Sequence, residues 1–151
     1  MKRQWILVVI GFSIIGLTTV SSALGASNYN VRVSYFDVGQ GDSILIRDKN
    51  GFDVLIDGGK PSAGPTVVAY IHQMAIDDID VLIASHADAD HIGGLIDVLH
   101  DITIPVNQVL YNGYPGNTNT WYSFATAVAE EGLTLDAAQF PQEYSWGVTT
   151  A

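Results

Sequence analysis

From residue 31 onward, the hydrophobic pattern alternates between strand-like and helix-like segments. Val31, Val33 and Tyr35 alternate with Arg32 and Ser34, the period of two that a strand requires. Short runs rich in apolar residues predict further strands over residues 43–47, 52–56, 80–84, 106–111 and 133–135. Longer segments predict helices over residues 65–74, 92–99 and 121–131. This order of elements predicts an α/β fold.

Local signals refine three of these elements. Asn50-Gly51 favours positive φ and predicts a hairpin between the second and third strands. Pro65 suits the first turn of the first helix, and Thr120 is a candidate N-cap for the last one. The continuous apolar run at 80–84 indicates a strand buried on both faces.

The first 25 residues have the layout of an export signal. A basic start, Lys2 and Arg3, precedes an apolar run at 5–20 and small residues at 21–26. This order predicts a secretory signal peptide over residues 1–25, leaving residues 26–151 as one domain outside the cytoplasm. The alternative is an uncleaved N-terminal membrane anchor, because the run approaches the lower limit of a membrane span. A cleaved leader would leave no stable membrane association.

Charge limits the partners of the domain. The chain has 16 acidic and 6 basic residues, a net charge of −10, and loss of Lys2 and Arg3 would make it −12. The mature part then has four basic residues, Arg32, Arg47, Lys49 and Lys60. So acidic a surface repels polyanions, and strong nonspecific binding to DNA is not expected. The chain has no cysteine, so it contains no disulfide framework.

Four potential metal ligands follow the predicted strand at 80–84. His86, Asp88, Asp90 and His91 lie within six residues. Neighbouring carboxylates repel one another and must be hydrated or paired, a cost that a divalent cation removes. The alternative is a solvated acidic loop with two incidental histidines. The density of ligands favours the metal site.

The same stretch carries a family resemblance. The sequence SHADADHIGG at 85–94 resembles the metal signature of the metallo-β-lactamase fold, and Asp88 in the place of the usual His resembles its ComEC-type branch. The segments YFDVGQGDSILI at 35–46 and LIDGG at 55–59 are similar to further motifs of that branch. The resemblance covers about residues 31–111 and implies an αββα sandwich of two similar halves. Because residues 26–151 are few for both halves, we expect only the N-terminal half here, as part of a longer protein or a truncated product.

The resemblance also implies roles for the four ligands. His86 and Asp88 would help to hold one divalent ion, and Asp90 and His91 a second. Two such ions ionise a water that acts as the nucleophile, and Asp90 would also orient that water as a catalytic residue. Asp88 adds negative charge and a hard oxygen ligand, which favours manganese or magnesium over zinc without excluding zinc. We therefore expect two ions, zinc or manganese.

Two neighbouring segments are candidates for supporting roles. Asp57 would either accept a hydrogen bond from a ligand histidine or serve as a turn-forming Asp, and the sequence does not decide between them. Asp37, Gln40 and Asp42 form a polar loop between two strands. The resemblance suggests that this loop faces the metals and the substrate, and the alternative is an ordinary glycine-rich turn.

Three functional hypotheses follow. The first is an exported metal-dependent hydrolase of phosphodiester bonds in a small molecule or a nucleic acid. The second is a hydrolase of another ester or a lactam. The third is a catalytically inactive, truncated domain, because the family's remaining ligands are not visible and only His100 follows His91 among the histidines.

Overall fold

The computed structural model describes residues 30–139, so the predicted leader at 1–25 lies outside the described residues. These residues form one six-stranded sheet whose strand order is the order of the chain. The strands are β1 (Val31–Tyr35), β2 (Ile44–Asp48), β3 (Asp53–Ile56), β4 (Val81–Ala84), β5 (Val109–Tyr111) and β6 (Leu135–Ala137). Strands β1 to β3 pair antiparallel, and β3 to β6 pair parallel. Short turns permit the first arrangement, and crossovers through helices permit the second.

The helices occupy those crossovers. They are α1 (Gly64–Gln73), α2 (Ala89–Ile92), α3 (Leu95–Leu99) and α4 (Asn119–Glu130), with a single 3-10 turn at Pro61–Ala63. The prediction of one helix over 92–99 is wrong, because two short helices meet at Gly93-Gly94. A Cβ on Gly93 would overlap the Pro61 ring, and one on Gly94 would overlap the Gly58 carbonyl. The close approach of these backbones leaves no room for a side chain at either position, which requires glycine there.

Other element ends also shift. Thr120 is not the N-cap of α4, because the helix begins two residues earlier than predicted and the Thr118 hydroxyl accepts from Trp121 N at 3.2 Å. Gly132 ends this helix with φ +73°, so the last strand forms at 135–137 rather than 133–135. The predicted strand at 106–111 is shorter in the structure, where β5 begins at Val109. Val106 makes only an isolated bridge with Ile79.

The helices cover one face of the sheet. Leu45, Leu55 and Leu82 project from that face and pack with fully buried helix residues such as Ile71 and Phe124. These described residues thus form one sheet and one helical layer, two layers of the sandwich that the resemblance implies. No helix within residues 30–139 is both long and apolar enough to cross a membrane.

The opposite face of the sheet is apolar and has no covering layer among residues 30–139. Val54, Val81 and Leu110 form its centre, with half-buried isoleucines beside them. On the edge strand β1, Val33 and Tyr35 remain 48% and 78% exposed. The alternation predicted for β1 is therefore present, but its apolar residues lie on this uncovered face.

Candidate metal centre

The four predicted ligands lie at the carboxyl end of β4, where the chain turns from the sheet into α2. The neighbouring strand β3 ends at the same edge, because parallel strands present their carboxyl ends together. Asp57, directly after β3, donates its backbone N–H to the Ile83 carbonyl of β4 at 2.9 Å. The pairing of β3 with β4 therefore fixes Asp57 beside the ligand turn.

Asp57 is the buried centre of the site. It is 2% exposed and has φ +58°, a left-handed conformation that is uncommon for any residue except glycine. Its carboxylate accepts from Ser85 N at 2.9 Å, from the Ser85 hydroxyl at 2.5 Å and from His91 Nδ1 at 2.8 Å. An ionised carboxylate can only accept, so the His91 ring donates from Nδ1, and in the neutral ring Nε2 then carries the lone pair. The sequence allowed Asp57 to be either an acceptor for a ligand histidine or a turn-forming residue. Its contact with His91 has the geometry of the first.

The two histidines lie against each other. The ring centroids of His86 and His91 are 3.8 Å apart, and both side chains are half-buried. Ligand atoms of Asp57, His86 and His91 all lie within 4.8 Å of one another, and within residues 30–139 no other group of three such residues meets this condition. Sequence reasoning paired each histidine with a neighbouring Asp, whereas the structure brings the histidines themselves together.

Asp88 completes one side of this cluster. Its Oδ2 lies 3.5 Å from His86 Nε2, and its side chain is largely exposed. Two ligand atoms that share a tetrahedral ion at about 2.1 Å lie about 3.4 Å apart. The separation of Asp88 and His86 therefore fits a divalent cation held between them.

Asp90 lies in the first turn of α2 and contacts the loop after β1. Gln40 Nε2 donates to its Oδ2 at 3.1 Å. This hydrogen bond, together with the Asp90 backbone N–H and the nearby His91 and His86, holds the pKa of Asp90 below its usual value. Asp90 is thus kept ionised, the form in which a carboxylate binds a cation or accepts a proton.

The loop at 37–42 packs directly on the ligand turn. Gly41 has φ +84°, and a Cβ there would overlap the Asp90 carbonyl oxygen. Asp42 Oδ2 lies 4.0 Å from His91 Nδ1. Asp37 differs, because its carboxylate accepts from Gly39 N within its own loop at 3.3 Å. Gln40 and Asp42 therefore face the site, whereas Asp37 shapes the loop.

Sequence reasoning missed Ser85. Its hydroxyl lies between the Asp57 carboxylate and His86 Nδ1, at 2.5 and 2.9 Å. A hydroxyl residue directly before the first histidine was the available signal. Its partner Asp57 is 28 residues away in sequence, so only the fold shows the contact.

Known proteins similar to this chain include a competence protein and several metallo-beta-lactamases. The chain is 34% identical over 109 residues to competence protein ComA of Neisseria gonorrhoeae, a match over 72% of this chain and 14% of that protein. Among solved structures, it resembles a metallo-beta-lactamase with a HARLDQ motif from Cronobacter sakazakii at 18% identity and TM-score 0.47, covering 80% of this chain and 49% of that one. A metallo-beta-lactamase from Hirschia baltica aligns at 18% identity and TM-score 0.41, covering 77% and 52%.

The chain therefore spans about half or less of the length of each of these relatives. The sequence profile of the metallo-beta-lactamase superfamily matches residues 36–128, from the end of β1 into α4. That match includes the Asp57 turn and all four predicted ligands, and it confirms the fold class that the resemblance implied. Since it extends over more than half of the sequence, this chain belongs to the metallo-beta-lactamase superfamily.

Proposed function

We propose that this chain is the metal-binding part of an exported metal-dependent hydrolase that cleaves phosphodiester bonds. The observation that carries the proposal is the meeting of His86 and His91 beside Asp88, with the buried Asp57 carboxylate behind them. Two imidazoles and several carboxylates that lie close together are suitable ligands for a divalent cation. Membership of a superfamily typified by metal-dependent hydrolases supports the same chemistry.

His86 and Asp88 would hold one ion, and His91 and Asp90 a second. When bound, such ions ionise a water near neutral pH and neutralise charge on a phosphoryl oxygen. The residues of this chain would orient the metal ligands. Asp57 fixes the His91 ring, and Gln40 fixes the Asp90 carboxylate. Asp90, kept ionised, would orient the attacking water as a hydrogen-bond acceptor.

Ligand chemistry favours phosphate esters over lactams. Asp88 and Asp90 supply hard, charged oxygens, which suit manganese as well as zinc. The similarity to a competence protein supports a nucleic acid as one candidate substrate. With a net charge of −10, contact with a polyanion would depend on the metal ions rather than on a basic surface.

Metal content and hydrolysis test this proposal together. We expect the purified protein to retain zinc or manganese after dialysis, as measured by elemental analysis, and to lose it in the Asp90→Ala/His91→Ala double variant. A matched control is His100→Ala, because His100 is exposed and pairs with Glu130 on α4, away from the site.

Substrate class is decided by comparing bis-p-nitrophenyl phosphate with nitrocefin, a chromogenic lactam. Because the family's remaining ligands are not visible in this chain, we expect slow turnover of the phosphodiester only, dependent on manganese or zinc, and a loss of at least about tenfold in the double variant. Wild-type metal content in the double variant would refute the metal site. Turnover of nitrocefin alone would refute the substrate class and favour the lactam alternative.

A further inference from the structure

The Ser85 hydroxyl joins the buried Asp57 carboxylate to the first histidine of the site. It lies 2.5 Å from Asp57 Oδ2 and 2.9 Å from His86 Nδ1. We propose that Ser85 is a positioning residue that fixes the tautomer of His86, with the proton on Nδ1 and the lone pair on Nε2. The use of that lone pair as a metal ligand rests on the proposed function, whereas the tautomer itself does not.

The direction of each hydrogen bond follows from the number of protons available. A serine hydroxyl has one hydrogen, and an ionised carboxylate has none. The contact between Ser85 and Asp57 therefore uses the hydroxyl hydrogen, and the charged acceptor makes it the stronger of the two bonds. The Ser85 oxygen can then only accept from His86, so His86 Nδ1 must carry a hydrogen.

The Asp57 carboxylate thus determines which ring nitrogen is protonated in both histidines. Asp57 accepts directly from His91 Nδ1 at 2.8 Å, and it acts on His86 through the Ser85 hydroxyl. Both imidazoles consequently present Nε2 as an acceptor. His86 Nε2 faces another acceptor, Asp88 Oδ2, at 3.5 Å, an arrangement that a cation between them would stabilise.

Backbone hydrogen bonds hold Asp57 and Ser85 in place. Ser85 N donates to Asp57 Oδ1 at 2.9 Å, and Asp57 N donates to Ile83 O at 2.9 Å. These two hydrogen bonds join the chain segments directly after the last paired residues of β3 and β4. Loss of the hydroxyl alone should therefore leave the Ser85 backbone and the Asp57 carboxylate where they are.

Nitrogen-15 NMR of the histidine side chains in the metal-free protein tests the tautomer directly. At a pH where both rings are neutral, we expect a proton on Nδ1 of His86 and of His91. In Ser85→Ala, His86 should shift toward the Nε2-protonated form that free imidazole side chains prefer, while His91 stays unchanged. Ser85→Thr keeps the hydroxyl and should restore the wild-type signal. Ser123→Ala, an exposed position on α4, is the matched control.

Zinc affinity, measured by competition with a chelating dye, gives the second readout. Substitution of groups that orient metal ligands costs about 10–100-fold in metal affinity, and we expect a loss in this range for Ser85→Ala with recovery in Ser85→Thr. A His86 ring protonated on Nε2 or on both nitrogens in the wild-type protein would overturn the proposal, as would an unchanged tautomer in Ser85→Ala. If the predicted tautomers appear but no metal binds, the proposed function fails and the positioning role of Ser85 stands.

Discussion

Asp53, at the start of β3, is a buried acid at the end of the sheet opposite the metal centre, and it should make the stability of the fold depend on pH. The residue is 0% exposed, and neither of its carboxylate oxygens accepts a hydrogen bond from any described residue. Its ion-pair partner is Arg47, with Nε 3.4 Å from Asp53 Oδ2. Burial, together with the smaller effect of nearby acids such as Asp80, raises the pKa of Asp53 from 3.8 to about 6 against the opposing effect of Arg47.

The direction of this pH dependence follows from the thermodynamic linkage between proton binding and folding. The pKa in the folded state lies above that of the unfolded chain, so the folded protein binds the proton more tightly. The stabilisation from protonated Asp53 is fully present below pH 3.8 and is lost as the pH rises through about 6. One pKa unit corresponds to about 1.4 kcal/mol, so this shift corresponds to at most about 3 kcal/mol. Because the effective dielectric constant is well above that of a dry interior even at buried sites, we expect about 1–2 kcal/mol in practice.

The variant Asp53→Asn removes the ionisable group and nearly preserves its shape. We expect it to be more stable than the wild-type protein at pH 7 by about 1–2 kcal/mol, since no buried charge remains and the amide oxygen still lies beside the Arg47 guanidinium. The advantage should vanish near pH 4, where the wild-type acid is protonated. Urea unfolding at several pH values measures both numbers, with Glu131→Gln, an exposed acid after α4, as the control.

Two results would refute this reasoning. One is a stability difference between Asp53→Asn and the wild-type protein that does not change between pH 4 and pH 7. The other is lower stability of the variant at pH 7, which would show that the Arg47 ion pair outweighs the cost of burying the charge.

Two further predictions concern the leader and the apolar sheet face that has no covering layer among residues 30–139. Protein recovered from the producing cells should begin near Ala26 or Ser27 on N-terminal sequencing, and soluble protein that starts at Met1 would contradict export. Residues 26–151 expressed alone should dimerise or aggregate through the apolar face that includes Tyr35, because exposed apolar faces and open sheet edges associate. On size-exclusion chromatography Tyr35→Lys should shift the protein toward monomer, whereas a monomeric wild-type protein would refute this use of the face.

Local sequence patterns predicted most of the elements because each depends on nearby residues. The Asn50-Gly51 turn pairs β2 with β3 as expected, and Pro65 lies in the first turn of α1. One prediction, the single helix over 92–99, failed where distant residues intervened. The break at Gly93-Gly94 depends on backbone contacts with Gly58 and Pro61, which lie more than 30 residues earlier in the chain. No local pattern carries that information.

The sequence by itself determined which chemical groups are available, and it placed four ligands in one turn after a buried strand. It left Asp57 undecided between two roles and gave no place to Ser85. The contacts of both residues follow from the tertiary structure, because the parallel pairing of β3 with β4 brings Asp57 to a turn whose residues lie 28 and 34 positions away in sequence. Contacts over such separations depend on strand register and on the close approach of backbones, which are properties of the packed sheet rather than of any local segment.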